Sequence, residues 1–128
     1  MVTCGTDIIK VNRIKESIEK IGETFLKRVY TDEEIEYCES RRMCKYQSYA
    51  ARFAAKEAIY KAISPNKGSE AGWKDAEVCK YENGKPYIKL YGELKKIADK
   101  ENIKNIELSL SHDDDYAIAC VVIDKENE

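Results

Sequence analysis

Two acidic residues lie where a carboxylate could serve chemistry. Asp7 follows Gly5 in an apolar N-terminal segment, and Glu57 lies in an alanine-rich segment that also carries Lys61. Helical spacing places Glu57 and Lys61 on one face. They form either an exposed ion pair worth about 0.3–0.5 kcal/mol or part of a site in which Glu57 is half-buried. In the second interpretation Asp7 and Glu57 supply two oxygen ligands to Mg²⁺, an ion usually shared with substrate phosphates.

Basic residues surround Glu57 in the sequence. Arg52, Lys56 and Lys61 could hold phosphate groups beside such an ion. Residues 41–68 carry a net charge of +6, whereas residues 101–128 carry −6. The basic segment therefore indicates either an anionic partner or a solvated helix face.

Ser111 and the single histidine, His112, end an apolar segment and precede three aspartates. They could be structural, or they could offer a hydroxyl, an imidazole and backbone donors to a phosphate. Because the aspartates would repel that phosphate, a site here requires cations from elsewhere in the assembly.

The candidate residues lie in segments whose patterns alternate between helix and adjacent antiparallel strands, which predicts an α+β fold. We expect a single domain over residues 1–128, with the antiparallel strands packed against a long central helix. We expect strands at residues 2–9, 75–81, 87–90, 106–111 and 116–123, with hairpins at Asn83-Gly84 and 113–115. We expect helices starting at Asn12 and Thr31 and over 44–63 and 92–100, with Gly22 ending the first and Glu34 completing a capping box.

Composition excludes several classes of protein. The chain has 128 residues, a net charge of −2 and 43% hydrophobic residues, so it is neither a disordered tail nor a wholly basic nucleic-acid binder. No apolar run of about 18 residues or signal peptide is visible. The five cysteines form no CxxC motif, which is typical of reduced thiols in a cytoplasmic protein.

Ordered motifs along nearly the whole chain resemble the holo-acyl-carrier-protein synthases, the short bacterial 4′-phosphopantetheinyl transferases. The opening motifs are Gly5-Thr6-Asp7-Ile8 with Arg13, Phe25-x-x-Arg28 and Thr31-x-x-Glu34. The later ones are Arg52-Phe53-Ala54-Ala55-Lys56-Glu57-Ala58 with Lys61, Trp73-x-Asp75, Asn83-Gly84-Lys85-Pro86 and Ser109-Leu110-Ser111-His112.

The resemblance implies transfer of 4′-phosphopantetheine from coenzyme A to a serine of acyl carrier protein, in support of fatty acid biosynthesis. It also implies a Mg²⁺-dependent cytoplasmic homotrimer with sites between subunits. Asp7 and Glu57 would hold the metal, and Lys61 would stabilise the leaving group. Coenzyme A would contact the residues that match the family's motifs: Arg52, Lys56, Lys61, Gly84, Lys85, Pro86, Ser111 and His112. Arg13, Lys20 and Arg28 would meet the acidic acyl carrier protein.

Other interpretations stay open at this stage. The base that takes the serine proton can be Glu57 or a water on the metal ion. A nucleic-acid-binding module that uses the basic helix would need no Glu57, and another Mg²⁺-dependent nucleotide enzyme would turn over coenzyme A without an acceptor protein. The family motifs favour the transferase, with no nucleic acid or membrane as partner.

Overall fold

The computed structural model describes residues 1–65 and 68–126. The first half contains one strand and four helices, β1 (Val2–Lys10), α1 (Val11–Ile21), α2 (Glu23–Val29), α3 (Asp32–Ser40) and α4 (Lys45–Ile63). The second half contains β2 (Ala76–Lys80), β3 (Pro86–Leu90), α5 (Gly92–Lys100), β4 (Ile103–His112) and β5 (Tyr116–Lys125). Single 3-10 turns form at Arg42–Cys44 and Trp73–Asp75.

The strands form two antiparallel sheets. One has the order β1-β5-β4, and the other is the β2-β3 hairpin about Asn83-Gly84. Both predicted hairpins and the α+β class are confirmed. The first strand, β1, pairs with the last strand, β5, along its full length from Val2 to Lys10. The two strands therefore lie side by side in the larger sheet.

The long helix α4 packs across β1 and β5, and their close contact depends on small residues. A Cβ at Gly5 would lie 2.2 Å from the Ala58 carbonyl oxygen and 2.9 Å from the Ala62 amide nitrogen. Only glycine allows the strand to approach this closely. The contact brings the next inward-facing residue of β1, Asp7, beside the last turns of α4.

Of the predicted helix ends, those at Thr31 and Gly22 are confirmed and that at Asn12 is wrong. Thr31 and Glu34 form the expected reciprocal capping box, and Gly22 ends α1 with φ 76°. The prediction that Asn12 caps α1 is wrong, because Lys10 precedes the first helical residue and Asn12 instead donates to Glu16. The amide of Val11 is satisfied by the carbonyl of Asp115, so the strand runs directly into the helix. Helix α2 was not predicted.

The predicted long helix is confirmed over Lys45–Ile63, and it begins one residue later than expected. Part of the segment predicted to stop it, Asn66 and Lys67, lies outside the described residues. Within residues 1–65 and 68–126, no helix has the length and hydrophobicity needed to cross a bilayer.

Candidate functional site

Asp7, Glu57 and Lys61, here called the carboxylate site, meet where β1 crosses the end of α4. The Lys61 ammonium lies 3.0 Å from an Asp7 oxygen and 2.9 Å from the Thr6 carbonyl oxygen. The Asp7 side chain is 17% exposed, so this ion pair is partly shielded from water. The structure thus brings together two elements that the sequence keeps far apart.

Glu57 lies one turn before Lys61 on α4 and is half-buried. Burial raises the pKa of Glu57, the nearby Asp7 carboxylate raises it further, and the Lys61 ammonium opposes both. Asp7 and Glu57 are therefore within electrostatic reach of each other, as a shared cation requires. In the part of the chain that the structure describes, Lys61 pairs with Asp7 and forms no ion pair with Glu57. This geometry favours a site over the simple surface pair.

The donor set fits Mg²⁺. Two carboxylates with a mutual repulsion gain from a divalent cation between them, and Mg²⁺ usually takes one or two carboxylates and keeps several waters. Asp7 and Glu57 would hold the ion here. Among residues 1–65 and 68–126, no group of three or more carboxylate, histidine or cysteine side chains has the arrangement of a metal centre.

A cavity with a volume of about 340 Å³ adjoins Glu57. Tyr60, Ala71, Gly72 and Trp73 also line it. The Trp73 ring stacks on Phe53 with a centroid separation of 4.9 Å, and the Tyr60 hydroxyl donates to the Gly72 carbonyl. From the sequence, Trp73 was identified only as part of a motif. The aromatic wall was not predicted, because a loop that returns to α4 builds it.

A second cavity, with a volume of about 220 Å³, gathers several predicted phosphate contacts and is called the basic pocket. Arg52, Gly84, Pro86 and His112, which the family resemblance assigned to coenzyme A, line it together with Tyr37, Arg41 and Lys80. No acidic side chain lines it within the described part of the chain. Three cations around a small cavity have the charge that suits a phosphate group.

Arg52 has an unused hydrogen-bond donor and lines the basic pocket. Its side chain is buried, and its Nε has no hydrogen-bond partner among the described residues. The guanidinium lies 4.2 Å from the centroid of the Tyr37 ring. Since buried donors are nearly always satisfied, this one is suited to an anionic ligand.

Tyr37 lies against these cations. Lys80 donates to its hydroxyl oxygen over 3.1 Å. Burial would raise the pKa of Tyr37, but the Lys80 hydrogen bond and the guanidinium groups of Arg52 and Arg41 outweigh it and lower the pKa below its ordinary value. Tyr37 could not be singled out from the sequence, because it lies on α3 outside the motifs with obvious chemistry.

Lys56 does not lie where the phosphate role requires it. Its ammonium is fully buried, 2.8 Å from a Glu34 oxygen, and it also donates to the carbonyls of Trp73 and Ala76. All three of its hydrogens are used. This structure therefore gives Lys56 an internal contact in place of the predicted phosphate contact.

Two other predicted contacts also lie away from the basic pocket. Ser111 and His112 point to opposite faces of the sheet because they are consecutive strand residues, and the Ser111 side chain lies on the exposed outer face. Lys85 pairs with Glu107 over 3.0 Å near the surface. Within one subunit, the structure does not bring Ser111 or Lys85 to the other predicted phosphate contacts.

The predicted partner-binding residues are all exposed. Arg13 and Lys20 lie seven residues apart on α1 and so share a face, and Arg28 lies on α2. The structure adds Ile21, which is 53% exposed beside Lys20. A partner with acidic and apolar groups would match this surface.

The family model described as "4'-phosphopantetheinyl transferase superfamily" matches residues 3–121. The chain belongs to the 4′-phosphopantetheinyl transferase superfamily. It is 51% identical over 119 residues to a holo-[acyl-carrier-protein] synthase of Ruminiclostridium cellulolyticum, which covers 93% of this chain and 89% of that protein. The family and enzyme class that the motifs indicated are confirmed.

Solved structures of the superfamily share this fold. The holo-[acyl-carrier-protein] synthase of Neisseria meningitidis has a TM-score of 0.87 at 30% identity, covering 98% of this chain and 100% of that one. That of Helicobacter pylori, solved in complex with coenzyme A, has a TM-score of 0.82 at 34% identity, covering 94% and 99%. The cavities described above thus belong to a transferase fold for which a coenzyme A complex is known.

Proposed function

We propose that this chain transfers 4′-phosphopantetheine from coenzyme A to a serine of apo acyl carrier protein. The products are holo acyl carrier protein and adenosine 3′,5′-bisphosphate. The observation that carries the proposal is the presence of both the carboxylate site and the buried, unpartnered Arg52 Nε in a chain of this superfamily. We further propose that residues 1–128 act as one domain in fatty acid biosynthesis.

The transfer itself is a displacement at phosphorus. The serine oxygen forms a bond to the β-phosphorus of coenzyme A, and the bond from that phosphorus to its bridging oxygen breaks. The bridging oxygen leaves with adenosine 3′,5′-bisphosphate. Such a reaction needs positioning and charge neutralisation more than covalent chemistry by the protein.

The residues of the carboxylate site have distinct tasks. The Lys61 ammonium stabilises negative charge that develops on the leaving oxygen. A Glu57 oxygen accepts the serine proton, because this half-buried carboxylate lies beside Asp7 within the carboxylate site. Mg²⁺, when held by Asp7 and Glu57, would supply neutralisation of the pyrophosphate charge.

The basic pocket takes a phosphate of coenzyme A that is remote from the reacting bond. Arg52, Arg41 and Lys80 surround it, and His112 lies at its edge. Arg52 offers its unpartnered Nε, and Arg41 lies exposed at the entrance. Binding energy from this remote group would fix the substrate for reaction at the carboxylate site.

We propose a homotrimer in which the two sites of adjacent subunits face each other. In one subunit, the carboxylate site and the basic pocket line different cavities. The outer face of the large sheet is also apolar and exposed, with Val2 at 64%, Ile8 at 61% and both Ile118 and Val122 at 39%. Association through this face would bury it and would form three identical shared sites.

We place the reaction in the cytoplasm. All five cysteines are free, and Cys44 is exposed away from the sheet face that we propose to lie between subunits. Exposed thiols of this kind are typical of proteins in a reducing compartment.

Intact-mass spectrometry of apo acyl carrier protein tests the activity. Incubation with this chain, coenzyme A and Mg²⁺ should add one phosphopantetheine group to the acceptor serine. An acceptor in which that serine is alanine provides the control and should keep its mass. Consumption of coenzyme A while the acceptor stays unmodified would contradict the transfer and favour a hydrolase.

A further inference from the structure

Lys56 and Glu34 form a fully buried ion pair outside the carboxylate site. The two side chains are 0% exposed, and the Lys56 nitrogen lies 2.8 Å from Glu34 Oε1. Lys56 is the direct neighbour of Glu57 on α4, yet its side chain enters the protein interior. A buried pair is stable only when every remaining donor and acceptor is also satisfied.

Both partners meet that condition. Lys56 donates its other hydrogens to the carbonyl oxygens of Trp73 at 3.0 Å and Ala76 at 2.6 Å. Glu34 accepts from the amides of Thr31 at 2.9 Å and Val78 at 2.8 Å. The pair therefore ties α3 and α4 to the backbone on both sides of the turn at Trp73–Asp75.

That turn forms the wall of the cavity beside Glu57. Trp73 and the preceding Gly72 line the cavity together with Glu57 and Tyr60. Stacking on Phe53 holds the Trp73 ring, while the bond from Lys56 holds its carbonyl. Residues 68–72 before the turn contain no helix or strand, and the Tyr60–Gly72 and Gly72–Asp75 hydrogen bonds hold the wall beside the bond from Lys56.

An apolar pair of similar volume could fill the same space, but it could not bind two backbone carbonyls. Replacing buried ion pairs by apolar residues is often neutral for stability or even favourable. The stability of the fold alone therefore does not explain why a charge lies here. The position of the Trp73 and Ala76 carbonyls explains the charge, since only a donor with several hydrogens can fix both carbonyls.

We propose that the Lys56–Glu34 pair is a positioning device that holds the Trp73 wall at the distance from Glu57 that coenzyme A requires. This inference rests on the proposed transferase function. Lys56 acts through Trp73 and does not touch phosphate. Loosening the wall weakens substrate binding, while Asp7, Glu57 and Lys61 keep the chemical step.

Lys56→Met tests the inference, because methionine keeps the apolar stem and removes the donors. The KM for coenzyme A should rise by about 10-fold or more, with kcat changed by less than about 3-fold, since misplacing a binding wall can cost up to about 10²-fold. Trp73 is the single tryptophan of the chain, so its fluorescence reports the wall directly. Its acrylamide quenching should increase without any substrate present.

Val121→Ala is the matched control. Val121 is fully buried on β5, away from the wall, and its truncation lowers stability through a cavity. At an equal loss of free energy of unfolding, it should leave the KM for coenzyme A and the quenching of Trp73 unchanged. If it raises KM as much as Lys56→Met does, the effect is one of stability and the inference is wrong.

Two further outcomes decide the matter. If Lys56→Met fails to fold because it leaves the Glu34 charge unpaired, the double variant Lys56→Met/Glu34→Gln serves, since it removes both charges together with the donors to the two carbonyls. Unchanged KM and quenching in that variant would overturn the inference. A flatter salt dependence of the KM in Lys56→Met would show that Lys56 contacts phosphate, which also overturns it. Failure of the wild-type chain to modify acyl carrier protein would refute the transferase function, whereas the quenching experiment would still report whether Lys56 holds Trp73.

Discussion

The Lys61 ammonium lies 3.0 Å from the Asp7 carboxylate although 54 residues separate them in the chain. The approach of β1 to α4 at Gly5 makes this contact possible, since Asp7 is two residues further along the same strand face. The Asp7–Lys61 pair lies where β1 crosses the end of α4.

Removing either proposed metal ligand should abolish most activity while the fold survives. Asp7→Ala and Glu57→Ala should each lower kcat/KM by about 10²-fold or more, since charge neutralisation at a phosphoryl group is worth several kcal/mol. Initial rates over a Mg²⁺ titration measure the effect. Asp99→Ala, which removes an exposed acid paired with Lys95, provides the control and should behave as wild type. A folded Asp7→Ala variant with wild-type rates at limiting Mg²⁺ would refute the metal assignment.

Adding one methyl group at Gly5 should destabilise the protein. The new Cβ would lie 2.2 Å from the Ala58 carbonyl oxygen, which is backbone and cannot rotate away. We expect Gly5→Ala to lower the free energy of unfolding by about 1–3 kcal/mol or more, as overpacking does. Urea denaturation measures the loss. Gly72→Ala is the matched control, because its Cβ would meet nothing within 4 Å; equal losses in the two variants would show that the Gly5 contact is not tight.

How well the sequence predicted each feature depends on whether the feature is local. The capping box of Thr31 and Glu34 was predictable because both residues lie within one helical turn. The cap at Asn12 was predicted wrongly because a distant carbonyl, that of Asp115, satisfies the helix start. The phosphate role given to Lys56 shows the same limit, since its burial depends on Glu34 and on two carbonyls beyond α4.

The buried Cys38 thiol should make stability fall at alkaline pH. Burial raises the pKa of Cys38 from 9.0 to about 12. Between these values the folded state keeps the proton that the unfolded chain loses, so folding stability is complete below pH 9 and declines as pH rises toward 12. Urea titrations at each pH should show that Cys38→Ala, although less stable at pH 8, loses stability less steeply, by up to about 1.4 kcal/mol per pH unit. Parallel slopes for the two proteins would contradict this linkage.

Docking of acyl carrier protein should weaken as salt rises. The acceptor is acidic as a class, and we propose that it meets Arg13, Lys20 and Arg28, whose attraction is screened beyond about 8 Å at physiological ionic strength. We expect Arg13→Glu to raise the KM for acyl carrier protein and to flatten the salt dependence of kcat/KM, with the KM for coenzyme A unchanged. Lys104→Glu, an equal charge reversal at an exposed position on β4, is the control. If the two variants respond alike, only net charge matters and the α1 surface is not the docking face.

Two inactive variants should restore activity when their subunits exchange, because each proposed site takes Glu57 from one subunit and His112 from the next. Random mixing of equal amounts of Glu57→Ala and His112→Ala leaves a complete site wherever each subunit supplies its intact residue, so about one quarter of wild-type activity should return. The mixture of Asp7→Ala with Glu57→Ala is the matched control: both residues lie in one subunit's carboxylate site, and no intact site can form. Light scattering should give about three times the chain mass of 14.7 kDa. A fully active sample with the mass of one chain would exclude the shared site, as would a control mixture that regains as much activity as the first.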